Sequence, residues 1–274
     1  MRGIYQDAPD NAGFVVQADI NCKIAKRKTN FKLAARNKPV MSAELEQEIE
    51  TVMIQFNNRA KWREWGMDGI RKQGAALMLH GPSGTGKTTI ARYVSKRIGR
   101  GFITCNMKDV GGKAPGDTER GIAEIFERGK LDNDKTLYFD ECEALLWDRS
   151  RAGSDSMWMV GVVDEILMQT SEYKGCVIFA TNKLEIIDDA LLTRCFAVLQ
   201  IGLPDYPERV RLWEQKIPQN FPLQLTKAQQ EKIAAVVLTG RAIENAVCKE
   251  ASLAILQKRN PTFQSLLQIA EKLK

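Results

Sequence analysis

Histidine is nearly absent: the 274 residues contain one, His80. That leaves almost no room for a Ser–His–Asp triad or a histidine-rich metal site. Six cysteines (Cys22, Cys105, Cys142, Cys176, Cys195, Cys248) stand far apart, with no C-x-x-C pair among them. This argues against a structural zinc and against a disulfide framework, and it fits a reducing compartment. No apolar run approaches the ~20 residues that would span a bilayer, and the opening "MRGIYQDAPDN" lacks the apolar core of a signal peptide. The expectation is a cytoplasmic chain with no membrane partner. Internal repeats and low-complexity segments are also missing, while the length suffices to bury a large core.

Charge is unevenly spread. The chain carries a net +6, and residues 1–40 hold eight lysines and arginines against three acids. The remainder is close to neutral. A basic arm of this kind, densest from Lys23 to Lys38, reads either as a contact for nucleic acid or an acidic partner, or as a solvated tail. Phe31 is the one aromatic interleaved with the basic run, a poor platform for base stacking.

From Ser42 the pattern becomes helical. Leu45, Ile49, Val52, Met53 and Phe56 fall on one face at helical spacing. "GAALMLHG" (74–81) reads as a short buried strand running into a glycine turn, and Ile90, Val94 and Ile98 mark a helix after it. Strands are then predicted at 101–106, 135–141, 175–182 and 196–203, with helices at 119–130 and 159–170. Short apolar strands alternating with helices imply an α/β fold, a parallel sheet with helices on both faces. Beyond "LPDYPE" strand signals cease, and 207–274 reads as helical, with breaks near Pro218, Gly240 and Pro261.

The glycine turn carries the clearest chemistry. Gly81-Pro82-Ser83-Gly84-Thr85-Gly86-Lys87-Thr88 satisfies G-x-x-x-x-G-K-[ST] between a predicted strand and a predicted helix. Glycines let backbone N–H groups turn inward around an anion, and the helix N-terminus adds partial positive charge. Thr89 follows in the same turn. In this pattern Lys87 reaches the β- and γ-phosphates of a nucleotide and the Thr88 hydroxyl ligates Mg²⁺. Asp140 and Glu141 end the apolar run "LYF", giving a carboxylate to hold the metal through water and another to take a proton from an attacking water. Asn182, at the end of "VIFATN", is positioned to orient that water, since strand carboxyl ends converge on the ligand crevice of a parallel sheet. Arg194 stands in "DDALLTRC" as a further candidate, and Arg241 follows a glycine in the helical region, from where it would reach the γ-phosphate. His80 is read as the last residue of its strand, without chemistry.

These segments together resemble an AAA+ ATPase module covering the chain from about Met41 onward. "GPSGTGKT" resembles its Walker A motif, "LYFDE" Walker B, "FATN" sensor 1, "IDDALLTR" the arginine-finger region, "GLPD" the hinge and "TGRAI" sensor 2. "GDTERGIAEIFERG" is similar to the helix that precedes Walker B in this family. The resemblance implies a three-layer P-loop NTPase core at 41–204, a small all-α lid at 205–274 and a basic extension at 1–40. It implies ATP and Mg²⁺ as ligands, held by Lys87, Thr88 and Asp140, with Glu141 activating water, Asn182 sensing the γ-phosphate and Arg241 contacting it from the lid. Arg194 would enter the site of an adjacent subunit in a hexameric homo-oligomer; such an arginine is worth about 10³–10⁵ in rate.

The implied work is remodelling of a protein client. The alternatives are a nucleic-acid-associated ATPase using the basic arm, or a scaffold switched by nucleotide. One departure stands out. Where ring translocases of this family carry a pore-loop aromatic, this chain has Lys113-Ala114-Pro115-Gly116, which argues against processive threading. Trp158 is a substitute only if it is not a core residue. The arginine region also carries Thr193 where relatives often have a second basic residue, leaving Arg149 and Arg151 as further contributors.

Overall fold

The computed structural model describes residues 38–67, 75–106, 110, 116–131, 134–146 and 158–274; for 158 and 159 only the backbone is described. The basic arm up to Arg36, Lys113–Pro115, Arg149 and Arg151 lie outside the described residues.

Five parallel strands form the sheet: β1 (Ala75–His80), β2 (Phe102–Cys105), β3 (Thr136–Phe139), β4 (Cys176–Thr181) and β5 (Ala197–Gln200), in the spatial order β2-β3-β4-β1-β5. Registers run Met78 opposite Phe179, Phe139 opposite Phe179, and His80 opposite Thr181. The carboxyl ends of β1, β3 and β4 therefore lie side by side. β5 is shorter than its apolar pattern predicts. Ile201 still donates to the His80 carbonyl at 2.7 Å, but the chain then leaves the sheet through "GLP".

The helices flank this sheet. α1 (Ala43–Asn57) begins where the Ser42 hydroxyl accepts from Leu45 N at 3.1 Å, one of the open N–H groups of the first turn. A short α2 (Arg59–Glu64) follows, then α3 (Lys87–Arg97), α4 (Asp117–Lys130) and α5 (Trp158–Glu172). Side-chain alternation along the strands decides which helix meets which face. Leu77 and Leu79 of β1 join Ile49, Val52 and Met53 of α1 and Ile90, Ala91 and Val94 of α3 in one buried cluster. Ala76 and Met78 point the other way, into a cluster with Ile122 and Phe126 of α4 and Val163 and Ile166 of α5. β1 is thus buried on both faces, which is why its sequence is continuously apolar rather than alternating.

α6 (Asp189–Arg194), capped by Asp188, was not evident from periodicity because it is only six residues long. After β5 come α7 (Tyr206–Lys216), α8 (Lys227–Ala234), α9 (Gly240–Leu256) and α10 (Phe263–Lys272). Each start is capped by a side chain: Asp205, Thr226, Thr239 and Thr262 respectively. The breaks predicted at Pro218 and Pro261 fall between helices, and Gly240 opens α9. These helices surround a third cluster centred on Trp213, Ile233, Ile243 and Leu266, drawn from this helical C-terminal part alone. Residues 39–274 nevertheless form one compact unit. No helix among the described residues is long and apolar enough to cross a membrane.

Candidate active site

The loop between β1 and α3 is shaped by three glycines in the left-handed region: Gly81 (φ 146°), Gly84 (φ 80°) and Gly86 (φ 108°). Two of them are also hemmed in. A Cβ at Gly81 would collide with the Ile201 carbonyl, and one at Gly84 would come within 2.9 Å of the Thr239 hydroxyl and 3.1 Å of Arg241 Cβ. Gly86 precedes α3 without any side-chain cap. The first N–H groups of that helix are left for an incoming anion, and its dipole favours negative charge there.

Lys87 is 8% exposed, and its ammonium uses all three donors. It donates to the Gly81 carbonyl at 2.7 Å, the Pro82 carbonyl at 3.0 Å and Asn182 Oδ1 at 2.7 Å. These acceptors are all neutral, so among the described residues this buried cation has no carboxylate in direct contact. Burial, with a smaller contribution from Arg241, holds its pKa below the usual lysine value against the pull of Asp140, Glu143 and Glu141. A desolvated cation whose direct acceptors are all neutral favours an incoming anion. His80, half-buried below it, is pulled below its ordinary pKa by burial first and then by Lys87; it plays no part in the cluster.

Thr88, Asp140 and Tyr138 form the other half. Thr88 Oγ1 lies 3.0 Å from Tyr138 Oη and donates to Asp140 Oδ2 at the long distance of 3.5 Å. Tyr138 and Asp140 are two residues apart and so leave β3 on the same side, toward α3. Glu141 departs from β-geometry altogether: its φ of 51° and ψ of 45° are left-handed. For a side chain with a Cβ this costs on the order of 1–2 kcal/mol, and residues held in such conformations cluster at functional sites. The turn exposes Glu141 at the rim, while its N–H stays on Asp140 Oδ1 at 3.2 Å.

A cleft of about 580 Å³ opens over these groups. Ser83–Thr89, Asp140, Glu141, Asn182, Gln200–Asp205 and Gly240–Arg241 line it, with Pro39–Ser42 on a further wall. Arg241 reaches it because its backbone N–H donates to the Gly84 carbonyl at 3.2 Å, tying the start of α9 to the glycine loop. The structure therefore gathers Lys87, Thr88, Asp140, Glu141, Asn182 and Arg241 from four separate segments into one place. It does not bring Arg194 there. That residue ends α6, is exposed, bonds the Ala190 carbonyl at 3.1 Å and is absent from the cleft wall. Tyr138 is the member that sequence reading missed. It lies within the apolar run "LYF", and its spacing of two from Asp140 is the signal that points to it.

The donor set fits a nucleoside triphosphate with a divalent cation. The loop and the Lys87 ammonium suit phosphate. Thr88 and Asp140 supply two hard oxygens of the kind Mg²⁺ uses when phosphates complete its shell. Comparison with known proteins supports the nucleotide part of this fit. Residues 77–203 match the family described as "ATPase family associated with various cellular activities (AAA)". The chain is similar to the human "ATPase family gene 2 protein homolog A", at 27% identity over 227 residues covering 80% of this chain and 25% of that protein. It is 28% identical over 249 residues to a "Proteasome-activating nucleotidase" of Saccharolobus solfataricus, covering 84% of this chain and 60% of that one. It is 30% identical over 194 residues to a "Cell division cycle protein 48 homolog" of Archaeoglobus fulgidus, covering 68% of this chain and 26% of that one. The chain thus spans between 25% and 60% of the length of these relatives.

Proposed function

The chain carries an AAA ATPase domain, and on that premise we propose that it hydrolyses ATP to ADP and phosphate with Mg²⁺, at subunit interfaces of a ring, to remodel a protein client. The observation that carries the hydrolytic part is the pairing of the glycine loop with Glu141. A phosphate cradle alone supports binding. A second carboxylate, turned to the rim of the same cleft at the cost of a left-handed backbone, supports proton abstraction from water.

In this reading residues 41–204 bind nucleotide, 205–274 act as a lid and 1–40 are a basic extension. Lys87 and the N–H groups of the loop neutralise phosphate oxygens, and Arg241 adds positive charge from the start of α9. Thr88 and Asp140 would hold the metal, which would supply positive charge to polarise the phosphates. Asn182 orients the water from the end of β4, and Glu141 accepts its proton. Arg194, exposed and absent from the wall of its own cleft, would serve a neighbour's in an assembled hexameric ring. The names of the relatives support a protein client. A cytoplasmic location is supported by five free thiols among the described residues.

Glu141→Gln tests the reading. The variant should bind ATP with wild-type affinity, release phosphate at least a hundredfold more slowly, and accumulate as an ATP-bound assembly sized by analytical ultracentrifugation. Wild-type turnover in Glu141→Gln overturns the mechanism. The basic arm supports a second reading, in which nucleic acid is the partner. ATPase activity stimulated by DNA and suppressed steeply by salt would favour it; indifference to DNA would remove it.

A further inference from the structure

The hydroxyl of Tyr138 is unusually well placed for a residue of a buried strand. Its ring is fully buried and clamped from the side: Phe102 stacks on it with centroids 5.4 Å apart and planes 29° from parallel. The Arg92 guanidinium covers Phe102 in turn, at 4.6 Å from the ring centroid. A ring held this way cannot swing its hydroxyl elsewhere, and that hydroxyl lies 3.0 Å from Thr88 Oγ1. A phenol hydroxyl carries a proton and two lone pairs, so it can donate to Thr88.

The hydrogen-bond arithmetic of Thr88 then becomes restrictive. A threonine hydroxyl has one proton and two lone pairs. Asp140 Oδ2 is an anionic acceptor on one side of it, and Tyr138 Oη stands on another. If Thr88 gives its proton to Asp140 and takes the Tyr138 proton on one lone pair, a single lone pair remains, with a direction fixed by two partners. Without the tyrosine hydroxyl, the threonine rotor loses one of the two. We propose that Tyr138 is a positioning residue, which orients the Thr88 hydroxyl so that its free lone pair meets the divalent cation accompanying the nucleotide. This rests on the nucleotide–metal reading of the cleft and goes beyond it, because Tyr138 is not part of the cleft wall.

The test is Tyr138→Phe, a change of one buried oxygen that keeps the clamped ring, with thermal unfolding run alongside to check the fold. The readout is affinity for a fluorescent ATP analogue, titrated with Mg²⁺ from a metal-free start, with electron paramagnetic resonance of bound Mn²⁺ as a direct probe of the ion. Loss of one hydrogen bond worth ~0.5–1.5 kcal/mol should raise the half-saturating Mg²⁺ concentration roughly 2- to 10-fold. Metal-free nucleotide affinity should stay within twofold. In a Thr88→Ala background, where the midpoint is already raised, adding Tyr138→Phe should shift it no further. That coupling separates positioning from general loosening of the core, which would add to any background. An unchanged Mg²⁺ midpoint in Tyr138→Phe, or an equal extra shift in Thr88→Ala, overturns the inference while leaving the site intact. Wild-type protein that binds the analogue with no dependence on Mg²⁺ overturns the site reading itself, and the inference with it.

Discussion

Two glycines of the phosphate loop, substituted identically, separate backbone strain from steric contact. Gly84 and Gly86 both have positive φ, at 80° and 108°, so alanine at either pays a left-handed penalty of roughly 1–2 kcal/mol. They differ in surroundings. An added Cβ at Gly86 meets nothing within 4 Å. At Gly84 it meets the Thr239 hydroxyl at 2.9 Å and Arg241 Cβ at 3.1 Å. Neither neighbour can retreat cheaply: Thr239 caps α9 through Ala242 N at 3.2 Å, and Arg241 N is bonded to the Gly84 carbonyl. Forcing a methyl into such a contact costs a further ~1–3 kcal/mol. The strain is relieved by pushing the start of α9 away from the loop, which withdraws Arg241 from the cleft. Gly84→Ala should therefore bind an ATP analogue about tenfold more weakly than Gly86→Ala, with a lower melting midpoint. Isothermal titration and thermal unfolding of the two variants check this side by side. Equal affinities would refute the claim that α9 is packed onto the loop.

Asn182→Ala removes one of three acceptors from Lys87 but leaves the two carbonyls. ATP affinity should change by less than about threefold while turnover falls roughly a hundredfold, measured by phosphate release; unchanged turnover would remove Asn182 from the mechanism. For the trans role of Arg194, mixtures of Arg194→Ala and Lys87→Ala subunits should recover part of the activity that each lacks alone. No recovery at any ratio would count against that role. A pH prediction concerns the helical part. Burial pushes Glu250 toward a higher pKa, but bonds from Arg259, Ser265 and the Thr262 N–H outweigh it and hold the carboxyl below its ordinary value. A depressed folded pKa stabilises fully above the unfolded value near 4.5 and is lost as pH falls through the folded one. Glu250→Gln should thus melt several degrees lower at pH 7, and the gap to wild type should close below about pH 4.5. A gap that persists at pH 3 would show that the charge is not what matters.

What could be read from the sequence follows from how local each signal is. The form of the glycine loop was legible because it depends on backbone conformations that only glycine adopts readily, next to a lysine at fixed spacing. Asp140 and Asn182 were legible because they end continuous apolar strands in a parallel sheet. α6 escaped because six residues cannot show a helical period, and β5 was over-extended because the apolar run "IGL" continues after the pairing stops. The left-handed turn at Glu141 escaped for a different reason. Nothing in "DEC" demands it, and the conformation is held by the 3₁₀ turn Cys142–Ala144 with Cys142 fully buried beneath it.

The same strand shows why apolar counting hides chemistry. Along β3 the odd residues Leu137 and Phe139 face one cluster, while Tyr138 faces the cluster beneath α3. Only that second face leads to the phosphate loop, so the parity that buries Tyr138 also delivers its hydroxyl to Thr88 and its neighbour Asp140 to the cleft. A strand shifted by one residue would turn Tyr138 toward the opposite buried cluster and away from the phosphate loop. Fixing Asp140 at the cleft therefore fixes what stands two residues before it, and a tyrosine there is as much a statement about the site as the aspartate is.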